Sequence, residues 1–199
     1  MKKQVITILG LFILINVSAQ DISLPEPQKT GGMPLMEALS KRSTHREFSS
    51  DEIDNQTLSN LLWAAWGYNR ADKRTAPSAM NKQELELYVV KKSGAYLYDA
   101  RLNKLIQVNN ADVRKEMGKQ DFVGDAPVNI VFVAKNKDDY SPVNAGFISQ
   151  NIYLYCASAD LGTVVRGFFD AEAVSKALKL KEAQIPVLTQ TVGKKKSFS

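Results

Sequence analysis

The chain has 199 residues, 44% of them hydrophobic and 24% charged, with a formal net charge of +5. That is the composition of a globular domain able to build its own core, and a mild positive charge without a basic, aromatic-interleaved stripe argues against nucleic-acid binding. One cysteine, Cys156, excludes an internal disulfide, and one histidine, His45, leaves too few ligands for the usual zinc sets, so no metal site is expected. Neither GxxxxGK[ST] nor GxGxxG occurs, and a Ser-His-Asp or Cys-His device would need His45, around which nothing supports one. A chain so poor in catalytic side chains points to a bound cofactor that carries the chemistry.

Lys2 and Lys3 precede an apolar run, Val5 to Val17, that ends in Val17-Ser18-Ala19. A charged start, an apolar stretch too short to span a bilayer and a small-residue site predict a signal peptide over residues 1–19, cleaved before Gln20. The protein is then expected to be exported, periplasmic or secreted, with no stable membrane insertion, and its charge falls to +3 once Lys2 and Lys3 are gone. Residues 20–33 lead with prolines and the Gly31-Gly32 pair into the domain proper, residues 34–199, and read as an extended arm. A short helix is expected from about Pro34 to Ser40.

Arg42-Ser43-Thr44-His45-Arg46 follows on the connection. Two guanidinium groups around two hydroxyls suit a phosphate, because the arginine fork matches its oxygens. Taken alone, the stretch reads more simply as a solvated basic loop. Asp54 is placed to cap a helix whose Leu58, Leu61, Leu62, Ala65 and Trp66 fall at helical spacing, with Gly67 as its C′ stop and Trp63 and Trp66 in the core or an interface. Tyr68 to Asn81 reads as a long polar loop. A strand from Leu85 to Val90, a hairpin from Ala95–Tyr98 to Lys104–Val108 and a short helix within Ala111–Gly118 come next. The apolar run Val128–Ala134 predicts a central, buried strand. Ser141-Pro142 opens the longest helix, to about Ala159; its apolar residues lie on more than one face, which predicts burial on several sides, including between subunits, with Cys156 as a small core residue. Leu161–Gly167 reads as turn, strand and glycine turn, Asp170 as the cap of a helix to Leu178, and Ile185–Val192 as a last strand before the basic tail Lys194-Lys195-Lys196. The order of elements is that of an α+β fold, a mostly antiparallel sheet flanked by helices.

Three separated segments, taken together, resemble the FMN-dependent nitroreductase family. Arg42-x-Thr44-x-Arg46-x-Phe48 is similar to that family's Arg-x-Ser-x-Arg/Lys-x-Phe signature. Pro77-Ser78-Ala79-Met80-Asn81-Lys82-Gln83 before a strand is similar to its Pro-Ser-x-x-Asn-x-Gln motif. The helix with Gln150-Asn151, followed by Leu161-Gly162-Thr163 and Arg166-Gly167, resembles its long central helix and flavin loop. The resemblance implies an intertwined homodimer that binds FMN and moves hydride or electrons through flavin N5 to or from a small organic substrate, with no catalytic side chain required. Arg42, Ser43, Thr44 and Arg46 would hold the phosphate and ribityl side, and Lys194 or Lys196 would touch the phosphate. Pro77, Ser78, Ala79, Asn81 and Gln83 would reach the flavin of the neighbouring subunit, and backbone N–H groups at Arg166 and Gly167 would point at N5. Substrate would stack on the exposed flavin face, against Tyr68 to Thr75 or Phe168 and Phe169; those aromatics read equally well as packing at a helix start.

Two departures matter. Glu84-Leu85 stands where the family commonly has Pro-Trp, and the hairpin from Tyr96 to Leu105 looks more like SagB-type oxidases, which dehydrogenate azoline rings. NAD(P)H, the family's ordinary donor, is expected to be scarce outside the cytoplasm. The alternatives are therefore a SagB-type dehydrogenase or oxidase, an exported flavin-binding protein without turnover, and a non-flavin interaction module.

Overall fold

Val128–Ala134, seven residues with no charge among them, is buried along its whole length and forms the strand β7. Its period of two divides it between the faces of a sheet: Val128, Ile130, Phe132 and Ala134 enter one core cluster, Val131 and Val133 the other. The computed structural model describes residues 20–196; the signal segment expected over 1–19 lies outside the described residues, as do 197–199.

Around β7 the chain builds an antiparallel sheet from β1 (Ile22–Ser23), β4 (Leu85–Lys91), β5 (Gly94–Asp99), β6 (Lys104–Asn109), β8 (Leu161–Arg166) and β9 (Ile185–Lys194), in the order β1-β6-β5-β4-β7-β9-β8. On one face lie α2 (Asn55–Trp66) and α4 (Ser141–Ser158), with α1 (Leu35–Lys41) packed along α4. The other face is covered by α3 (Phe122–Asp125), α5 (Ala171–Leu178) and a 3₁₀ turn over Arg114–Met117. This is the expected α+β architecture.

Side-chain chemistry sets the helix limits. The Asp54 carboxylate accepts the Thr57 N–H at 2.9 Å and the Thr57 hydroxyl at 2.7 Å, so α2 starts where a cap is available. Asp170 caps α5 in the same way, accepting from Glu172 and Ala173. Gly67 ends α2, but in extended backbone (φ −70°, ψ 169°) and not in the left-handed form expected of a C′ glycine. It is a glycine for want of room, since a Cβ there would stand 2.7 Å from the Trp63 carbonyl oxygen.

Three segments differ from expectation. Tyr68 to Asn81 is no continuous loop: β2 (Tyr68–Arg70) pairs with β3 (Lys73–Arg74), and a 3₁₀ turn follows over Ala79–Asn81. Arg74 fastens this hairpin, donating to the Trp66 carbonyl at 2.8 Å and to Gln83 Oε1 at 3.0 Å while lying against the Trp66 and Tyr68 rings. The arm contributes β1 to the sheet edge beside β6. Finally, β9 continues to Lys194, past the expected end at Val192, because Lys194 still pairs with Leu161.

The Asp54 cap yields a stability test. Asp54→Ala is expected to lower unfolding free energy by about 1 kcal/mol in urea titrations at neutral pH. Hydrogen bonds from Thr57 hold the folded Asp54 carboxyl below its ordinary pKa. The cap therefore contributes above the ordinary carboxylate range and fades as pH falls through the lowered value, so wild type and variant should converge in acid.

Candidate functional site

Residues 42–49 run from the end of α1 past the outer edge of β8. The His45 N–H donates to the Thr163 carbonyl at 3.0 Å, which fastens the segment to that edge strand. Thr44 Oγ1 lies 3.2 Å from the Tyr153 hydroxyl, and the same hydroxyl accepts the Val165 N–H at 3.2 Å. The Arg42 guanidinium stands 5.4 Å from the Tyr153 ring centroid. One tyrosine of α4 thus draws the first motif and the end of β8 together.

The tail closes the other side. The Ser49 N–H donates to the Lys194 carbonyl at 3.0 Å, the Lys196 N–H donates to the Glu47 carbonyl at 3.2 Å, and Phe48 and Lys195 form a bridge between them. The strands beneath are bare where the segment crosses. Gly162 and Gly193 are register partners, and a Cβ on them would come 3.0 Å from His45 Cβ and 3.1 Å from Phe48 Cδ1 respectively. His45 is accordingly a close-packed spacer and Phe48 a buried plug.

Arg46 and Lys196 line one pocket of about 340 Å³ together with Phe48 and Phe122. Lys194 leans on Asp51 at 3.7 Å and Lys195 is paired with Asp160 at 2.6 Å. Among the described residues no ion pair involves Arg42, Arg46 or Lys196. Ser43 and Thr44 are exposed beside them. Uncompensated guanidinium and ammonium groups next to exposed hydroxyls are the donor set a phosphate monoester needs, so these residues fit the phosphate end of FMN. Of the two tail lysines expected there, Lys196 is the better placed.

The second motif sits elsewhere. Ser78 Oγ accepts the Gln83 N–H at 3.0 Å, and the Ala79 N–H donates to Asn144 Oδ1 at 3.1 Å. Asn144 in turn donates through Nδ2 to Glu84 Oε1 at 2.8 Å, where Ser141 Oγ also donates at 3.1 Å. Met80, Asn81 and Gln83 are left-handed, at φ 52°, 54° and 48°. Gln83 is spent on the loop itself, donating to the Asp72 carbonyl at 2.6 Å and to Asn81 Oδ1 at 3.0 Å; Pro77 and Asn81 stay exposed. Asn144 and Tyr153 are nine residues apart on α4, roughly 14 Å along the axis. One chain therefore does not unite the two motifs.

Gly167 is exposed, with open space where a side chain would be, so close backbone approach there is unobstructed. The Arg166 side chain turns inward, 5% exposed, and donates to Asn129 Oδ1 at 3.0 Å. Phe168 is 61% exposed, whereas Phe169 packs on the outer core. Cys156 is buried, and burial raises its thiol pKa, as suits an inert core residue. Among the described residues no group of His, Cys, Asp or Glu could hold a metal ion.

Tyr153 and Asn144 belong to no motif legible in the sequence, and Glu84 stands out there only as a departure from the family's Pro-Trp. Tyr153 and Asn144 are polar-tipped residues at sheet-facing positions of α4, alongside Ala145, Ile148, Ile152 and Cys156. A polar group on the buried face of a helix was the available signal.

Comparison with known proteins agrees with this fold. The model of the nitroreductase family matches residues 39–194. A protein of Methanocaldococcus jannaschii, provisionally named a nitroreductase, is 29% identical over 196 residues, covering 88% of this chain and 96% of its own length. The crystal structure of a provisionally named nitroreductase of Ralstonia eutropha superposes with a TM-score of 0.85 at 40% identity, over 92% of this chain and 93% of that one. An FMN-dependent nitroreductase of Clostridium difficile shares the fold, with a TM-score of 0.62 at 18% identity over 82% and 89% of the two chains.

Tyr153→Phe should expose the role of the hydroxyl. It leaves the Val165 N–H without its partner, which is expected to cost about 1–3 kcal/mol of stability. Faster hydrogen exchange at the Val165 amide should accompany the loss.

Proposed function

This chain belongs to the nitroreductase family and is an oxidoreductase, and from that premise we propose that it depends on FMN, works as a homodimer and acts on a small organic substrate. The observation that carries the cofactor assignment is the meeting of two basic segments from opposite ends of the chain. The segment from Arg42 meets residues 194–196 beside the start of β8, and among the described residues no ion pair involves Arg42, Arg46 or Lys196. Bound flavin would supply hydride exchange at N5. The chain's own part is to hold the phosphate with Arg42, Thr44, Arg46 and Lys196, and to offer unobstructed backbone at Gly167. No acid–base pair is asked of the protein.

The surface of α4 supports the dimer reading. Its sheet face is buried, yet Val143 and Phe147 on the outer face are 54% and 43% exposed, and Leu35, Met36 and Leu39 of α1 are 61%, 76% and 43% exposed. An unpartnered apolar surface on two adjacent helices is the mark of an interaction site. The outward positions Val143, Gly146, Phe147, Gln150, Asn151 and Leu154 are symmetric about a point between 148 and 149. An antiparallel two-fold contact of α4 with its copy, centred there, would set residue 144 of one subunit opposite residue 153 of the other. The turn at Ala79–Asn81 would then complete the site that residues 42–46 begin in the partner, as an isologous interface allows.

The donor class is set by the proposed export. With nicotinamides scarce outside the cytoplasm, another reductant or an oxidase direction is favoured. Freshly purified protein should be yellow, with a flavin absorbance spectrum; a colourless protein that takes up no added FMN rules the cofactor out. Anaerobic bleaching by NADH or NADPH, with recovery on adding a nitroaromatic or quinone, would establish turnover over mere flavin storage.

Two variants separate the parts. The double substitution Arg42→Ala, Arg46→Ala should weaken FMN binding well over tenfold while leaving a folded dimer, since charge-assisted bonds contribute on the order of 1.5–3 kcal/mol each. Phe147→Glu should give monomers in sedimentation velocity and lose flavin in the same step. Full flavin on a Phe147→Glu monomer would refute the shared site.

A further inference from the structure

Arg166 is a cation held inside this fold. It is 5% exposed, and among the described residues, of its three guanidinium nitrogens only Nη2 has a partner, Nε and Nη1 being buried without one. No ion pair involves it among the described residues. Arginine cannot escape burial by losing its proton under ordinary conditions, although burial pulls its pKa down to about 10. An uncompensated buried cation is expensive, and such groups concentrate where function needs them.

The surroundings are arranged to keep it there. Any side chain at position 118 would collide with Nη1, so Gly118 leaves its space to the guanidinium. Asn129 donates through Nδ2 to the Val123 carbonyl at 2.9 Å, which turns its Oδ1 toward Arg166 and toward Thr191 Oγ1 at 2.6 Å. The Phe122 ring centroid lies 5.6 Å from the guanidinium carbon. That same Phe122 lines the pocket that holds Arg46 and Lys196. The buried charge therefore sits one aromatic ring behind the proposed cofactor pocket, and on the residue immediately before Gly167.

We propose that Arg166 is a redox-tuning residue whose buried charge favours the reduced form of the bound flavin over the oxidised form. The proposal rests on the flavin reading given above. Transfer of a hydride breaks a C–H bond in an organic donor, which is oxidised, and forms an N–H bond at N5. Two electrons and one proton enter the ring, leaving it with one net negative charge. A fixed cation in a site of low polarity stabilises that charge and leaves the neutral oxidised ring almost unaffected. A unit charge acting across ~10 Å at an effective dielectric of about 20 changes such a ratio by about tenfold.

The test uses Arg166→Met, Arg166→Gln and Arg166→Lys in the full chain. The first measurement is the melting temperature of the flavin-stripped protein. Removal of an uncompensated charge should raise it in at least one of the two neutral variants, whereas a lower melting temperature in both would show that Arg166 is a structural strut and overturn the proposal. The second is the two-electron midpoint potential of the loaded protein, by equilibration with a reference dye, together with affinities for oxidised and reduced FMN. In the neutral variants, preference for reduced over oxidised flavin should fall about tenfold, which is about 30 mV more negative for a two-electron couple. Arg166→Lys should retain most of the wild-type value. An unchanged potential, or an equal loss of affinity for both redox forms, overturns the proposal; the second result would show the charge acting on the phosphate. A wild-type chain that binds no flavin is a different outcome, and it removes the underlying reading and this proposal with it.

Discussion

A helix that is apolar on two opposite faces cannot be satisfied by the sheet beneath it. That constraint on α4 organises the rest of the molecule. Its inner face, with Ala145, Ile148, Ile152 and Cys156, closes the core over the sheet, while Val143 and Phe147 face outward. The same helix carries Asn144 near one end and Tyr153 toward the other, and each hydrogen-bonds a different candidate binding segment. The surface left uncovered and the division of the site are two consequences of one sequence pattern. A partner helix on the outer face answers both.

The edge of the sheet supplies the second half of the logic. β8 is an edge strand of the sheet, so its free edge is available to residues 42–49, and β9 delivers the basic tail to the same place. Two facing glycines make the crossing shallow enough for His45 and Phe48 to lie on the strands. Among the described residues, the cationic groups at this junction with no ion pair are Arg42 and Arg46 of the first motif and Lys196 of the tail. Binding chemistry and strand pairing are here one arrangement.

Much of this was legible in the sequence, and the reason is local. β7 is legible from its unbroken apolar run, α2 from helical spacing, α5 from its Asp170 cap and the β5–β6 hairpin from its two strand-like stretches; each signal lies within the element it specifies. The segment from Tyr68 to Asn81 reads as a loop because what orders it reaches beyond it: its own Arg74 donates to Trp66 on one side and Gln83 on the other. Arg166 was read for its backbone alone, since an arginine ending a strand is ordinarily solvated. Its burial depends on Gly118 and Asn129, neither of which is near it in the chain. The candidate residues were found by pattern, whereas the groups that hold them, Tyr153, Asn144 and Glu84, come from contacts that no single stretch encodes.

The closure of residues 45–49 against 194–196 also has a meaning in time. These segments are nearly the whole domain apart in the chain, so their contact completes one of the longest loops the fold contains. Contacts of that kind form late, because the entropy of closing the loop must be met before the contact returns any stabilisation. During synthesis the helices and the β4–β7 meander can assemble while the last strand is still inside the ribosome, but the cationic junction cannot. The end proposed to bind the anion is therefore the last part to come into existence, and a chain that loses its final residues would keep most of its core and never acquire it.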